Sequence, residues 1–130
     1  MTIPLLCLFI AMLMPLIASG VGNMQRKKQF GHMDNHNPRL QAAQLTGLGA
    51  RAVAAQQNCW EALLLFTAAI AAAHFKAGSI DALPAMASVA SILFIVARSS
   101  FIFCYLTDRA TPRSASFGIG FASCIWLFWM

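Results

Sequence analysis

One hundred and thirty residues fit a single domain, yet 59% of them are hydrophobic and only 10% charged, and the mean hydropathy is +0.68. A chain of this size cannot hide so much apolar surface in a core of its own, so a freely soluble domain is excluded and a bilayer is its main solvent. The net charge of +5 is accounted for by where the basic side chains fall in the loops, and it requires no nucleic acid.

From Met1 to Gln25 no side chain is charged, and residues 3 to 22 supply one membrane crossing within a helix over about 3–28. Arg26, Lys27 and Lys28 follow this apolar stretch. A cleavable signal peptide places its charge before the apolar run, so a retained span is expected here. Pro15 removes one backbone hydrogen bond within the span and is expected to kink it. The following loop carries GHMDNHNP, with His32, Asp34 and His36. A solvated loop is the expectation there, and no metal site is assigned.

A second apolar run extends from Thr46 to Phe75, in a helix expected over about 44–75. Within it stands RAVAAQQNCWEALLLF, which carries an arginine, three amides and a glutamate. At helical pitch Arg51 and Asn58 lie about 20° apart, and Glu61 about 60° further round, with Gln57 flanking them. Polar groups at membrane depth cost a few kcal/mol and therefore face a partner or a wet cavity. A lock between helices and a ligand site both satisfy that requirement.

The third run, Ala82 to Leu106 in a helix over about 82–108, repeats the pattern with Arg98, Tyr105 and Arg109 within about 40° of one another. Arg98 is the natural counter-ion for Glu61, in the same subunit or a neighbouring one. The fourth run, about 112–130, follows TPRS. Thr111 is expected as N-cap and Pro112 as the first helical residue. Arg113 is unfavourable at a helix start unless an anion lies beside it, and Ser114 adds a hydroxyl. An interfacial arginine reaching to lipid phosphates is the alternative.

These runs lack the strict alternation of barrel strands, so the fold expected is all-α and integral to the membrane, a bundle of four transmembrane helices. Cys7, Cys59, Cys104 and Cys124 all fall within spans and read as small apolar packing groups. The first and third loops are basic and the middle one nearly neutral, which places both termini outside the cytoplasm.

Two blocks carry a family resemblance. DNHNPRLQAAQLTGLGARAVAAQQNCWEAL, from Asp34 to Leu63, resembles the second-helix signature of the MAPEG family, the membrane-associated proteins in eicosanoid and glutathione metabolism. Its centre is Arg51, Asn58 and Glu61 in an R-x6-N-x2-E arrangement. RSSFIFCYLTDRATPRS, from Arg98 to Ser114, resembles the family's R-x6-Y and basic, proline-containing turn, and YLTDRATPRS is similar to the form in bacterial members.

The resemblance implies a single MAPEG-like membrane domain over 1–130, assembled as a homotrimer in a bacterial inner membrane. Glutathione would bind between neighbouring subunits as co-substrate. Asn58 and Glu61, assisted by Gln57 or Gln56, would contact its polar backbone. Arg51, Arg98, Tyr105 and Arg109 would line the same site, with Arg26 and Arg39 loosely placed to meet a carboxylate. Arg113 and Ser114 would handle the thiol.

The function implied is a glutathione-dependent transferase or peroxidase acting on lipophilic electrophiles or lipid hydroperoxides. Membrane lipids are its other partners, and no metal is implied. Ala54 and Ala62 stand where catalytic animal members carry an arginine and an aromatic. They favour the alternative of a non-catalytic lipid-binding or scaffold member. A small four-helix transporter is a third reading.

Overall fold

Leucine, methionine and alanine carry helix α1 unbroken from Ile3 to Phe30 in the computed structural model, which describes residues 2–130. Pro15 is buried inside this helix, and the helix continues through it. Gly31 ends α1 with a left-handed φ of 75°, its N–H donating to the Lys27 carbonyl at 3.0 Å. Lys27 and Lys28 occupy the last turn, where cations suit the carbonyl end of the helix.

The chain then forms a short helix that the apolar pattern does not reveal, α2 (Pro38–Ala43). The next long helix, α3 (Leu48–Ala77), starts at Leu48, later than the expected residue 44. Gly47 explains the shift. Its φ of 55° and ψ of −126° cannot be part of a helix, so the turn at Gln44–Gly47 divides α2 from α3. The Gln29 side chain ties that turn to α1, donating to the Thr46 carbonyl at 3.0 Å and accepting from its N–H at 3.1 Å.

Helix α4 (Ala85–Leu106) begins after Pro84, and α5 (Ala110–Trp129) follows a three-residue turn in which Asp108 has a φ of 60°. Thr111 is therefore not the N-cap, nor is Pro112 the first helical residue. Arg109 holds the cap position, and Pro112 sits within the first turn, where its missing N–H costs nothing.

Among the described residues α1, α3 and α4 are long and apolar enough to cross a membrane. The last helix opens on the polar stretch ATPRSAS, which dilutes its apolar second half.

Around the bundle α1 packs on α3, α3 on α5, α5 on α4 and α4 on α1. Helices α3 and α4 also meet across the short diagonal, where the rings of Phe66 and Phe94 stack with centroids 4.0 Å apart. Ala52, Ala55, Ala62, Ala69 and Ala73 form the buried stripe of α3. Small side chains at this spacing let the neighbouring backbones approach closely.

The outward faces are apolar, with Leu16, Ile17, Leu64, Phe75, Val96 and Trp129 exposed. At the end of the bundle away from the basic loops, Lys76 donates to the Phe128 carbonyl at 2.7 Å and lies 5.5 Å from the ring centres of Phe128 and Trp129. It fastens the end of α3 to the carbonyl end of α5.

Candidate functional site

Arg98 is 2% exposed, so a full charge lies inside the bundle. Gly120 of α5 packs beside it, and a Cβ there would meet the Arg98 Cδ at an ordinary 3.5 Å. The guanidinium stands 4.1 Å from the centre of the Phe101 ring, a favourable cation–π distance. Its Nη2 donates to Asn58 Oδ1 at 2.8 Å and lies 3.7 Å from Cys59 Sγ.

Asn58 in turn donates through Nδ2 to Glu61 Oε2 at 3.3 Å. The expected direct pairing of Arg98 with Glu61 is thus not formed within the chain. Asn58 stands between them, because the amide is closer to α4 on the helix arc than the glutamate is. Its carbonyl takes the cation and its amino group takes the anion. Glu61 and Gln57 are exposed on the outer side of α3.

Nearer the basic end, Arg51 donates through Nε to the Leu106 carbonyl at 3.3 Å. Its Nη1 lies 3.7 Å from Asp108 Oδ2, the one ion pair among the described residues. The end of α3 is thereby held against the turn between α4 and α5. Tyr105, one turn before that junction, packs edge-on against Phe101 with centroids 5.4 Å apart. The Arg113 guanidinium lies 4.4 Å from the Tyr105 ring centre, so α4 and α5 present their aromatic and basic groups as a stacked pair.

Ser114 donates its hydroxyl to the Ala110 carbonyl at 3.2 Å, back along its own helix. Arg109 lies 5.8 Å from the Phe103 ring. The structure therefore joins Arg98, Asn58 and Glu61 in one chain of hydrogen bonds, and sets Arg51, Tyr105 and Arg113 at the rim beside it. Ser114, Arg109 and Gln57 are exposed and make no side-chain contact with that group.

Sequence reasoning missed the role of Arg26. This side chain is 5% exposed and is held by three acceptors. Its Nε donates to Gln41 Oε1 at 2.8 Å, Nη1 to Asn23 Oδ1 at 3.2 Å and Nη2 to the Asp34 carbonyl at 2.8 Å. Gln41 completes the knot, accepting from the Asp34 N–H at 3.0 Å and donating to the His32 carbonyl at 3.1 Å. Arg26 is thus committed to holding the first loop and α2 against α1, and is not free to meet a ligand carboxylate. No signal in the sequence marks it, since Arg26 and Gln41 lie on different helices, fifteen residues apart.

Asp34 also shapes this loop. Its Oδ1 accepts from the N–H groups of His36 at 2.8 Å and Asn37 at 3.1 Å. Hydrogen bonds from Asn37 and then His36 hold its carboxyl below its ordinary pKa of 3.8. Among the described residues no three metal-ligating side chains cluster.

The model of the MAPEG family matches residues 3–130, nearly the whole chain. No curated protein and no solved structure matches it.

Proposed function

The chain belongs to the MAPEG family, and from that premise we propose that it is a membrane-bound, glutathione-dependent transferase or peroxidase. In this reading α5 is the fourth crossing, both termini lie outside the cytoplasm, and three copies assemble with glutathione between them. The observation that carries the proposal is the Arg98–Asn58–Glu61 chain of hydrogen bonds. It runs from a buried cation outward to a carboxylate exposed on a membrane-length helix. An exposed carboxylate at that depth requires polar partners, and within the chain only the Asn58 amide, at 3.3 Å, supplies one.

Glutathione has an ammonium group for Glu61 and peptide groups for Asn58 and Gln57. Its carboxylates suit Arg51 at the rim and the exposed Arg109, through charge-assisted hydrogen bonds. Arg98 acts as a positioning residue, since its contact with Asn58 fixes the amide's orientation. Tyr105 carries Arg113 on its ring face and so sets where that guanidinium points.

The chemistry is thiolate activation. A free thiol has a pKa near about 8.5, so only a few per cent is ionised at neutral pH. Arg113, placed beside the sulfur, favours the ionised form, and Ser114 is near enough along α5 to donate a hydrogen bond once its hydroxyl leaves the Ala110 carbonyl. The thiolate then attacks a lipophilic electrophile and expels its leaving group. With a hydroperoxide it attacks the terminal oxygen and the O–O bond breaks, releasing the alcohol and leaving a sulfenic acid on sulfur, which a second glutathione thiol converts to the disulfide with loss of water. Placement and electrostatics supply the rate.

The second reading is a lipid-binding member without catalysis, favoured by Ala54, by the buried Ala62 and by the Ser114 hydroxyl turned back on its helix. Conjugation of glutathione to 1-chloro-2,4-dinitrobenzene by purified protein in detergent separates the two. A transferase gives saturable turnover that falls about tenfold in Arg113→Leu, the worth of one pKa unit. Absence of turnover in the unaltered protein supports the lipid-binding reading.

A further inference from the structure

The turn between α4 and α5 sets one carboxylate, that of Asp108, against Arg51 of α3. The two contacts of this guanidinium differ in kind. Its Nε is tied to the Leu106 carbonyl at 3.3 Å, whereas Nη1 stands 3.7 Å from Asp108 Oδ2, beyond hydrogen-bond reach. The guanidinium is thus held in place from behind and balanced in front by charge alone. The Asp108 side chain is 74% exposed against 30% for Arg51, so the carboxylate can turn away to water while the guanidinium stays. Asp108 has a φ of 60°, a left-handed conformation that aspartate and asparagine adopt more readily than other residues with a side chain.

We propose that Asp108 is a resident competitor for the co-substrate's carboxylate, holding Arg51 between turnovers and yielding it when glutathione binds. The inference rests on the glutathione reading, in which Arg51 takes a carboxylate, and adds the residue that regulates that contact. A ligand carboxylate can meet Nη1 and Nη2 together, through hydrogen bonds shorter and stronger than a loose ion pair supplies. Asp108 therefore loses the exchange when glutathione arrives and regains Arg51 when it leaves. A glutathione conjugate keeps both carboxylates. Asp108 opposes it as it opposes the co-substrate, and so helps to clear the site after turnover.

The test is titration calorimetry of the full chain in neutral detergent, with glutathione and with S-hexylglutathione as the stand-in for a conjugate. Asp108→Asn removes the charge and suits the same backbone, and should tighten both ligands about two- to fivefold, the worth of an exposed ion pair. Asp108→Gly, at home at a positive φ, should do the same. Asp108→Glu keeps the charge and should keep the weaker binding of the unaltered protein. Asp34→Asn removes an equal charge at the same end of the bundle and retains the oxygen that accepts from the His36 and Asn37 N–H groups. It should leave both affinities unchanged.

Unchanged or weaker binding in both Asp108→Asn and Asp108→Gly would overturn the proposal. An equal gain in Asp34→Asn would also overturn it, by showing an effect of net charge alone. Absence of glutathione binding in the unaltered protein would remove the glutathione reading and this inference together, whereas binding that Asp108 does not modulate removes this inference alone.

Discussion

Arg98 is where the cost of a buried charge is met by one amide, one ring face and one thiol. Asn58 takes the guanidinium on one side and the Glu61 carboxylate on the other, so its loss should matter more than neutralising the glutamate. Asn58→Leu removes the oxygen acceptor of a buried cation and should lower stability in detergent by about 1–3 kcal/mol. Glu61→Gln keeps an acceptor for Asn58 and should cost about 0.5 kcal/mol or less, measured by the same unfolding assay. The reverse order would show that a direct ion pair to Arg98, within the assembly, is the true lock.

Asp34 gives a second test, with a defined sign. Its carboxyl is held below 3.8 in the folded protein, so its contribution to loop order is complete above that value and is lost as pH falls through the lower folded value. Proteolysis of residues 31–37 should therefore stay slow to about pH 4 and accelerate below it. Asp34→Ala should show fast cleavage already at neutral pH. Equal rates for the two proteins at neutral pH would remove Asp34 from the account.

At the scale of the helices, two glycines make opposite predictions. A Cβ on Gly49 would lie 2.9 Å from Leu45 Cδ2, 3.0 Å from Leu45 Cβ and 3.1 Å from Gln25 Cβ, so α1 and the turn before α3 would have to move apart. Gly49→Ala should destabilise the protein by about 1–3 kcal/mol, the range for overpacking. A Cβ on Gly120 meets Arg98 Cδ at an ordinary 3.5 Å, and Gly120→Ala should be neutral or gain up to about 1 kcal/mol of helix propensity. Melting in detergent checks both, and a destabilised Gly120→Ala would mean that Arg98 needs more room than its contacts imply.

The long helices were legible because an apolar run bounded by charge has few alternatives in a bilayer. Helix α2 was not, because the six residues Pro38–Ala43 are too few to show a periodicity, and the turn Gln44–Gly47 that separates them from α3 carries glycine only at its end. The seven-residue spacings of Arg51 with Asn58 and of Arg98 with Tyr105 put each pair on one face. The bridging role of Asn58 and the burial of Arg26 depended on distances between helices, which spacing within a helix cannot supply.

For the whole molecule, a chain with exposed apolar faces and an exposed glutamate on a membrane-length helix needs both lipid and a polar partner. Basic groups gather at one end, where of Arg51, Arg109 and Arg113 only Arg51 pairs with a carboxylate, that of Asp108, among the described residues. That surplus of positive charge is suited to an anionic co-substrate, and Arg113 is the group assigned to its sulfur. The most direct measurement is a titration of the purified protein with glutathione at neutral pH, recording the ultraviolet absorbance of the thiolate. The account predicts a saturable thiolate signal that Arg113→Leu lowers by up to about tenfold while glutathione still binds, and that Asn58→Leu shifts to higher glutathione concentration. Saturable binding with no thiolate in the unaltered protein, or a full signal in Arg113→Leu, would contradict it.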